Sequence, residues 1–199
     1  MHPAPKGASG VAVYVGVTGS GKSTLAVAHA REISARTGEP TIFLDMEHSL
    51  PDTWDAEYVT GAHDALDASY VARRHTVFRG HPAEVGELLS HVRTVGDRCV
   101  VADGSTHLLS AHSRPGAPLS ELMRGHRHAR AWLLLVTQHF SGDIPQAMLA
   151  CTPHLYIFRT LQPATLRVFE RDYGLNPDEL RILPVGASVH HYMGFAPGA

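Results

Sequence analysis

The sequence predicts an α/β fold in which a mostly parallel sheet is sandwiched between helices. Short apolar, β-rich runs alternate along the chain with segments of helical periodicity, and this order is typical of parallel sheets. Trp132–Thr137 (WLLLVT) is a continuous apolar run, as expected for a strand that is buried on both faces. Glu84–Val95 instead repeats its apolar residues with a helical period. With 44% hydrophobic and 18% charged residues, the 199-residue chain has the composition of one globular domain.

Periodicity and turn signals predict the following elements in chain order. The predicted strands are Val11–Val15, Thr41–Leu44, His75–Phe78, Cys99–Ala102, Trp132–Thr137, His154–Phe158 and Ser188–Met193. The predicted helices are Lys22–Ala35, Glu84–Val95, Leu119–Ala131 and Pro163–Tyr173. Ser49–Arg74 is predicted to be irregular, and Ser110–Pro118 to be a turn-forming loop. Residues 1–10 read as a polar arm, and residues 11–199 as a single domain.

Composition excludes several classes of function. The net charge of −2 and the pI near 6.7 argue against a general polyanion-binding surface. Any nucleic-acid contact is therefore expected to come from a local strip, built by assembling several copies. No run of about 18 apolar residues predicts a membrane span, and the start lacks the apolar core of an export signal. Cys99 and Cys151 are isolated and read as reduced cytosolic thiols. The fifteen histidines show no ligand spacing for a structural metal site.

The stretch Gly16–Ser23 fits the pattern G-x-x-x-x-G-K-[ST] and lies between a predicted strand and a predicted helix. Its glycines let the backbone curl, so that successive N–H groups face phosphate oxygens near a helix start. Lys22 is expected to reach the β- and γ-phosphates, and the Ser23 hydroxyl to bind Mg²⁺. The residues expected to bind the nucleotide are Gly16, Thr18, Gly19, Ser20, Gly21, Lys22, Ser23 and Thr24.

Two acidic segments compete for a catalytic role. Asp103 ends a predicted strand (VVADG) and is expected to hold Mg²⁺ through water, but the next residue is Gly104 instead of a base. A second strand ends in FLDMEHSL, which contains Asp45 and Glu47. The carboxyl ends of parallel strands meet at one crevice, so Glu47 could polarise a water there, and Asp45 could share its face. The alternative is that the segment containing Asp45 and Glu47 is a solvated acidic loop with no catalytic role.

Four segments resemble the core of the RecA-type recombinases: GVTGSGKSTLA, IFLDMEHSLPD, VVADGSTHLL and LLLVTQ. The resemblance implies a RecA-like P-loop NTPase core. That core carries its catalytic glutamate after the strand that follows the phosphate-loop helix, and the matching residue is Glu47. Gly104 is then no defect, because the second Walker motif needs only its aspartate.

The segment HRHARAWLLLVTQHFSGDIPQAMLACTPHLYIFRT is similar to the HerA–FtsK class of DNA-pumping ATPases, and most of all to small genome-packaging ATPases of membrane-containing viruses. The matching residues are Arg127, Thr137, Gln138, Asp143, Ile144, Pro145, Phe158 and Arg159. The resemblance implies that Gln138 senses the γ-phosphate and that Arg127 reaches a neighbouring subunit's nucleotide. Arg124, Arg130 and Arg159 remain alternatives for that arginine. Many pumps of the class keep an acidic residue where this chain has Gly104.

These resemblances imply ATP hydrolysis that drives double-stranded DNA translocation, in the manner of viral genome packaging, with ATP and Mg²⁺ as cofactors. They imply a ring of subunits in the host cytoplasm or on the virion, docked to capsid or membrane-vertex proteins. Arg114, in the loop Ser110–Pro118, would line a DNA channel and make sequence-independent phosphate contacts. A RecA-like recombination or repair ATPase, a small-metabolite P-loop kinase and a nucleotide-gated structural protein stay open.

Overall fold

The computed structural model describes residues 9–46, 48, 50, 55–103, 116–140 and 154–192. In this part of the chain, eight strands form one sheet in the order β3-β4-β2-β5-β6-β1-β7-β8. Neighbouring strands run parallel except β8, which is antiparallel to β7. The prediction of a mostly parallel sheet in an α/β fold is confirmed.

The strands are β1 Gly10–Val15, β2 Thr41–Asp45, β3 Glu57–Val59, β4 Thr76–Phe78, β5 Cys99–Asp103, β6 Trp132–Thr137, β7 His154–Ile157 and β8 Val189–Tyr192. The α-helices are α1 Lys22–Thr37, α2 Ala62–Leu66, α3 Val85–Val95, α4 Pro118–Gly125, α5 Pro163–Tyr173 and α6 Pro177–Ile182. A π-helical turn at Asp67–Val71 follows α2, and a 3-10 turn at Pro82–Glu84 precedes α3.

Helices cover both faces of the sheet, because alternate residues of the central strands point to opposite sides. Val11 and Val13 of β1 pack on one face, where α3, α4 and α5 contribute apolar side chains. Ala12 and Tyr14 of β1 pack on the other face against α1. All four side chains are buried, so β1 lies at the centre of the molecule.

The largest error of the sequence prediction concerns Ser49–Arg74, which was expected to be irregular. Its described residues contain β3, α2 and the π-helical turn. The strand β3 has only three residues, too few for a hydrophobic period to be visible. Backbone pairing with the region of β4 fixes it, through Glu57 N–H to the His75 carbonyl (2.8 Å) and Arg79 N–H to the Val59 carbonyl (2.9 Å).

Two helices also differ from the prediction. The helix predicted over Leu119–Ala131 ends at Gly125, and the following residues form turns. Ala131 N–H bonds to the His126 carbonyl (2.9 Å), which turns the chain into β6 before the helix can continue. The short helix α6 was missed; its start is capped by Asn176, whose side chain accepts from Asp178 N–H (3.0 Å).

Cys99 lies fully inside the sheet, and its burial raises the pKa of the thiol to about 12. At neutral pH it is therefore protonated and a poor nucleophile. Cys151, the other cysteine, lies outside the described residues. Within the described part, no helix is long and apolar enough to cross a membrane, and no three His, Cys, Asp or Glu side chains gather as metal ligands.

A cluster of aromatic and histidine rings joins α1 to the β8 edge of the sheet; we call Tyr14, His29, His154, Tyr156 and His190 the ring cluster. The Tyr14 hydroxyl and His29 Nδ1 are hydrogen-bonded at 2.7 Å inside the protein. Tyr14 stacks on Tyr156 (4.9 Å between centroids), and Tyr156 stacks on His190 (4.4 Å). His154 Nδ1 and His190 Nε2 are 3.2 Å apart. These contacts bind four elements into one unit.

We expect the stability of the protein to fall on mild acidification because of the ring cluster. Burial is the main cause that lowers the pKa of His29, His154 and His190. In the unfolded chain these histidines have a pKa of about 6.5 and become protonated below that pH, whereas in the folded protein they stay neutral to a lower pH. The free energy of unfolding therefore falls as the pH falls below about 6.5. Urea unfolding across this range measures the effect.

His154→Phe keeps a ring in the stack but removes one titrating group, so we expect a shallower pH dependence of the free energy of unfolding. His128→Gln, at an exposed turn, serves as the matched control and should keep the wild-type slope. Identical slopes for wild type and His154→Phe would contradict the role assigned to this histidine.

Candidate nucleotide-binding site

The phosphate loop, Gly16–Ser23, is suspended between the ends of β6 and β7. Gly16 N–H donates to the Thr137 carbonyl of β6 (3.3 Å), and Val17 N–H donates to the Arg159 carbonyl just after β7 (2.9 Å). The Lys22 side chain is buried and its Nζ donates to the Val17 carbonyl (2.8 Å), so the ammonium is held within the loop. The loop is thus fixed from both sides before any ligand arrives.

Two glycines are required by this geometry. Gly21 has φ 100, a left-handed conformation that other residues adopt only with strain, and a Cβ there would lie 3.1 Å from Gly186 Cα. At Gly16, a Cβ would meet Phe158 Cβ at 2.7 Å and the Arg159 carbonyl oxygen at 2.9 Å. Any side chain at these positions would push the loop away from the sheet.

The helix α1 begins at Lys22 directly after the loop and supplies the positive end of a helix dipole. Its N-cap, Gly21, has no side chain, and the first turn contains no acidic residue. The first N–H groups of a helix lack intrahelical partners, so this end is suited to an anion. Ser23 is half-buried and Thr24 exposed in the same turn, within the set predicted to bind nucleotide.

The remaining residues of the phosphate loop are exposed at its tip and buried where it joins α1. Thr18 and Gly19 are exposed, where a ligand can reach them. Ser20 is buried; its carbonyl accepts from Gly186 N–H (2.9 Å), whereas its Oγ finds no hydrogen-bond partner among the residues that the structure describes. The eight predicted residues therefore form one continuous loop and helix start, as the motif requires.

Asp103 ends β5 and lies beside Asp45, its register partner at the end of β2. The strand order places β6 between β5 and β1, so Asp103 is two strands from the phosphate loop. Neighbouring strands are about 4.8 Å apart, which gives a gap of about 10 Å. A hydrated Mg²⁺ fits a gap of this size, because the ion keeps several of its waters in protein sites. The Ser23 hydroxyl and the Asp103 carboxylate are oxygen groups of the kind that Mg²⁺ prefers, so both residues fit the ion that the sequence predicts.

Asp45 has a structural partner that the sequence did not reveal. Its carboxylate is fully buried and accepts from Arg79 Nε (2.9 Å) and from Leu50 N–H (3.3 Å). Arg79 also donates to the Leu50 carbonyl (2.7 Å), which closes a small network after β2. The carboxylate is therefore used in fixing the chain that follows β2. Glu47 and Gly104 lie outside the described residues.

Gln138, directly after β6, is brought against the phosphate loop. Its Oε1 accepts from the Thr18 hydroxyl at 3.0 Å. The preceding residue is held as well, because the Thr137 hydroxyl accepts from His139 N–H (3.0 Å). Thr18 and Gln138, both predicted to serve the site, are thus in direct contact in the structure.

The candidate arginines are widely separated. Arg127 is exposed in the turn before β6, at the amino end of the sheet. A six-residue strand such as β6 is about 20 Å long, so Arg127 lies about that far from its own phosphate loop. Arg130 is paired with Asp97 and Arg124 with Glu121, both away from the site. Neither Arg124 nor Arg130 is brought to the phosphate loop.

Arg159 is the arginine that the fold places beside the phosphate loop. Its carbonyl accepts from Val17 N–H, and its side chain is half-buried. In the described part of the chain its Nε has no hydrogen-bond partner. The motif Phe-Arg at a strand end was the sequence signal for it. The loop around Arg114 and the Asp143–Pro145 turn lie outside the described residues.

The site contains one segment that sequence reasoning missed. The turn Pro184–Ala187 packs on the phosphate loop, and Gly186 N–H donates to the Ser20 carbonyl (2.9 Å). Pro followed closely by Gly is a turn signal, but nothing in the sequence indicates which part of the protein such a turn will contact. No feature of the sequence indicates that Arg79 will pair with Asp45.

Comparison with solved structures identifies the fold. The chain matches the genome packaging NTPase B204 of Sulfolobus turreted icosahedral virus 2 in complex with ATP-gammaS, with a TM-score of 0.72, 18% identity and 92% coverage of both chains. The complex of that protein with AMP gives a TM-score of 0.67 at 17% identity and 92% coverage of both chains. B204, the DNA-packaging ATPase of Sulfolobus turreted icosahedral virus, gives 0.62 at 16% identity and 88% coverage of both.

No protein-family model and no curated protein sequence matches the chain. The likeness to the solved structures extends over nearly the whole chain, and it confirms the predicted P-loop NTPase fold.

Asp45→Asn should separate architecture from nucleotide binding. We expect a loss of about 2–4 kcal/mol in the free energy of unfolding, because Arg79 loses its buried charged partner. ATP affinity should stay within about twofold, which is less than 0.5 kcal/mol. Chemical unfolding and calorimetric titration measure the two quantities.

Asp103→Asn is the matched comparison, since it changes the register partner of Asp45 on the adjacent strand. Here we expect the Mg²⁺ dependence of nucleotide binding to change. The assignment of Asp45 fails if Asp45→Asn binds ATP weakly while its unfolding curve stays that of wild type.

Proposed function

We propose that the protein is an ATPase that uses hydrolysis to translocate double-stranded DNA during viral genome packaging. The proposal is carried by one arrangement: a phosphate loop fixed between β6 and β7, with Gln138 in contact with it and Asp103 at the end of the next strand. The fold shared with viral packaging ATPases supports the same activity.

ATP binds through its phosphates in this proposal. The N–H groups of the phosphate loop and of the start of α1 surround the β- and γ-phosphates, and Lys22 neutralises their charge. Ser23 and Asp103 would hold Mg²⁺, which would supply further charge neutralisation. Phosphoryl transfer to water needs positioning and electrostatic stabilisation more than covalent chemistry, and these residues provide both.

Glu47 is proposed as the residue that polarises the attacking water. It follows β2 by two residues, and β2 lies next to β5 in the sheet. The base and the metal-holding aspartate then come from neighbouring strands, which separates their tasks. Gln138 is proposed to contact the γ-phosphate from the end of β6 by donating its amide Nε2–H to a phosphate oxygen, while its Oε1 accepts from the Thr18 hydroxyl.

Two arginines suit two different nucleotides. Arg159 lies beside the loop of its own subunit and is proposed to face the nucleotide bound there. Arg127, at the opposite end of the sheet, can act only on the nucleotide of a neighbouring subunit. An arginine supplied in this way accelerates hydrolysis by roughly 10³-fold or more, which is the physical reason for a ring.

DNA binding is proposed to depend on assembly. A single chain with a net charge of −2 presents no strong field to a polyanion, whereas a ring repeats each exposed arginine around a channel. Arg114 is the proposed channel residue. Its contacts would be to phosphates, and hence independent of sequence and strongly weakened by salt. Docking to capsid or membrane-vertex proteins, in the host cytoplasm or the virion, completes the proposal.

Glu47→Gln should retain ATP binding and lose at least about 100-fold in turnover, because water activation by a general base contributes roughly that much or more. ATP hydrolysis by the wild type should rise when double-stranded DNA is added. Glu87→Gln, on the exposed face of α3, is the matched control and should behave as wild type. Steady-state phosphate release measures all three.

Full turnover by Glu47→Gln would remove the base assignment. ATP consumption that requires a sugar and ignores DNA would favour a small-metabolite kinase, and stimulation by single-stranded DNA with filament formation would favour a recombination or repair ATPase. Nucleotide binding without turnover in the wild type would indicate a nucleotide-gated structural protein.

Mixing Lys22→Ala subunits with wild-type subunits should reduce DNA-stimulated hydrolysis more than proportionally. The reason is that hydrolysis around a ring requires neighbouring subunits to act on one another, so a subunit that no longer binds nucleotide also lowers the activity of its neighbours, even though it retains Arg127. Activity plotted against the mole fraction of the variant tests this. A linear decrease in activity that reaches zero when all subunits are the variant would indicate independent monomers.

A further inference from the structure

An exposed apolar surface lies next to the phosphate loop. Leu161, Ile182 and Val185 are 55%, 78% and 67% exposed. Leu161 follows β7, Ile182 is the last residue of α6, and Val185 lies in the turn after α6. These segments are bonded to each other through Thr160 N–H and the Leu180 carbonyl (3.1 Å). We call these three side chains the apolar wall.

The turn Pro184–Ala187 carries Val185 and attaches it to the phosphate loop. Ala187 N–H bonds to the Pro184 carbonyl (3.1 Å), and Gly186 has φ 82, as position three of a type II turn requires. Gly186 N–H is used by the Ser20 carbonyl (2.9 Å). Val185 therefore occupies the tip of a turn whose position is set by the phosphate loop itself.

The strand order tells which end of a nucleotide meets this wall. Asp103 and Gln138, which serve the γ-phosphate in the proposed function, follow β5 and β6 on one side of β1. The apolar wall follows β7, on the other side of β1. A triphosphate whose γ end points to β5 and β6 must direct its ribose and base toward β7.

We infer that the apolar wall is the nucleobase subsite, with Val185 as its main contact, and that it discriminates poorly between bases. This inference rests on the proposed function for the placement of the phosphates. None of Pro184–Ala187 has a polar side chain that could read the edge of a base, and the backbone N–H groups of Gly186 and Ala187 are already bonded. A surface of this kind covers the flat face of any base, but it does not read the edge of the base.

Nucleotide affinity with and without a base tests the inference. Calorimetric titration with MgATP, MgGTP, MgUTP and magnesium tripolyphosphate should give dissociation constants for the three nucleotides within about fivefold, which corresponds to about 1 kcal/mol. Val185→Ser should weaken ATP binding about fivefold, because apolar contact area is lost. Val185→Phe should strengthen it by a similar factor, because an aromatic ring stacks on bases.

Neither variant should change the affinity for tripolyphosphate, which has no base. Val71→Ser is the matched control: this residue is 78% exposed at the end of the π-helical turn before β4, a strand five places from β7 in the sheet, and its replacement should change nothing. Equal effects of Val185→Ser on ATP and tripolyphosphate would overturn the inference, because the turn would then act only by shaping the phosphate loop.

Two further results would overturn it. One is unchanged ATP affinity in both Val185 variants. The other is a strong preference of the wild type for one base. If Val185→Ser instead alters the sedimentation of the protein and not its ATP affinity, the apolar wall belongs to a contact with a second copy. A wild type that binds neither ATP nor tripolyphosphate would refute the proposed function itself, which is a separate outcome.

Discussion

The site depends above all on how the phosphate loop is suspended from the parallel sheet. The N–H groups of Gly16 and Val17 bond to carbonyls at the ends of β6 and β7, on either side of β1. These bonds exist only because β6 and β7 flank β1 in parallel register. The loop can then present its other N–H groups to phosphate without a folding step at the moment of binding.

The same strand order divides the site into two halves. On the β6 side of the phosphate loop lie the groups suited to the reacting end of a nucleotide, Gln138 and Asp103. On the β7 side lie Arg159 and the turn that carries Val185. A parallel sheet places the carboxyl ends of all its strands at one edge, so chemistry can be distributed among strands far apart in sequence.

Charged residues away from this edge are mostly used to hold the fold. Arg98 is almost completely buried at the start of β5, where it pairs with Glu39 (2.8 Å) and lies 3.8 Å from the centre of the Tyr70 ring. Arg79 and Asp45 form a similar pair after β2. Because these arginines are committed to partners inside the subunit, the arginines left for ligands or neighbours are few, and Arg159 and Arg127 are among them in the described part of the chain.

The sequence by itself determined the phosphate loop, the central strands and the helix α3, because each is specified by residues that are close together along the chain. Tertiary structure alone decided that Asp45 is paired with Arg79, 34 residues away. It also decided that Arg127 lies at the wrong end of the sheet for its own site, and that the turn at Gly186 rests on Ser20. Local periodicity reports which face of an element is buried, but strand order and loop contacts arise from long-range packing, which no local pattern encodes.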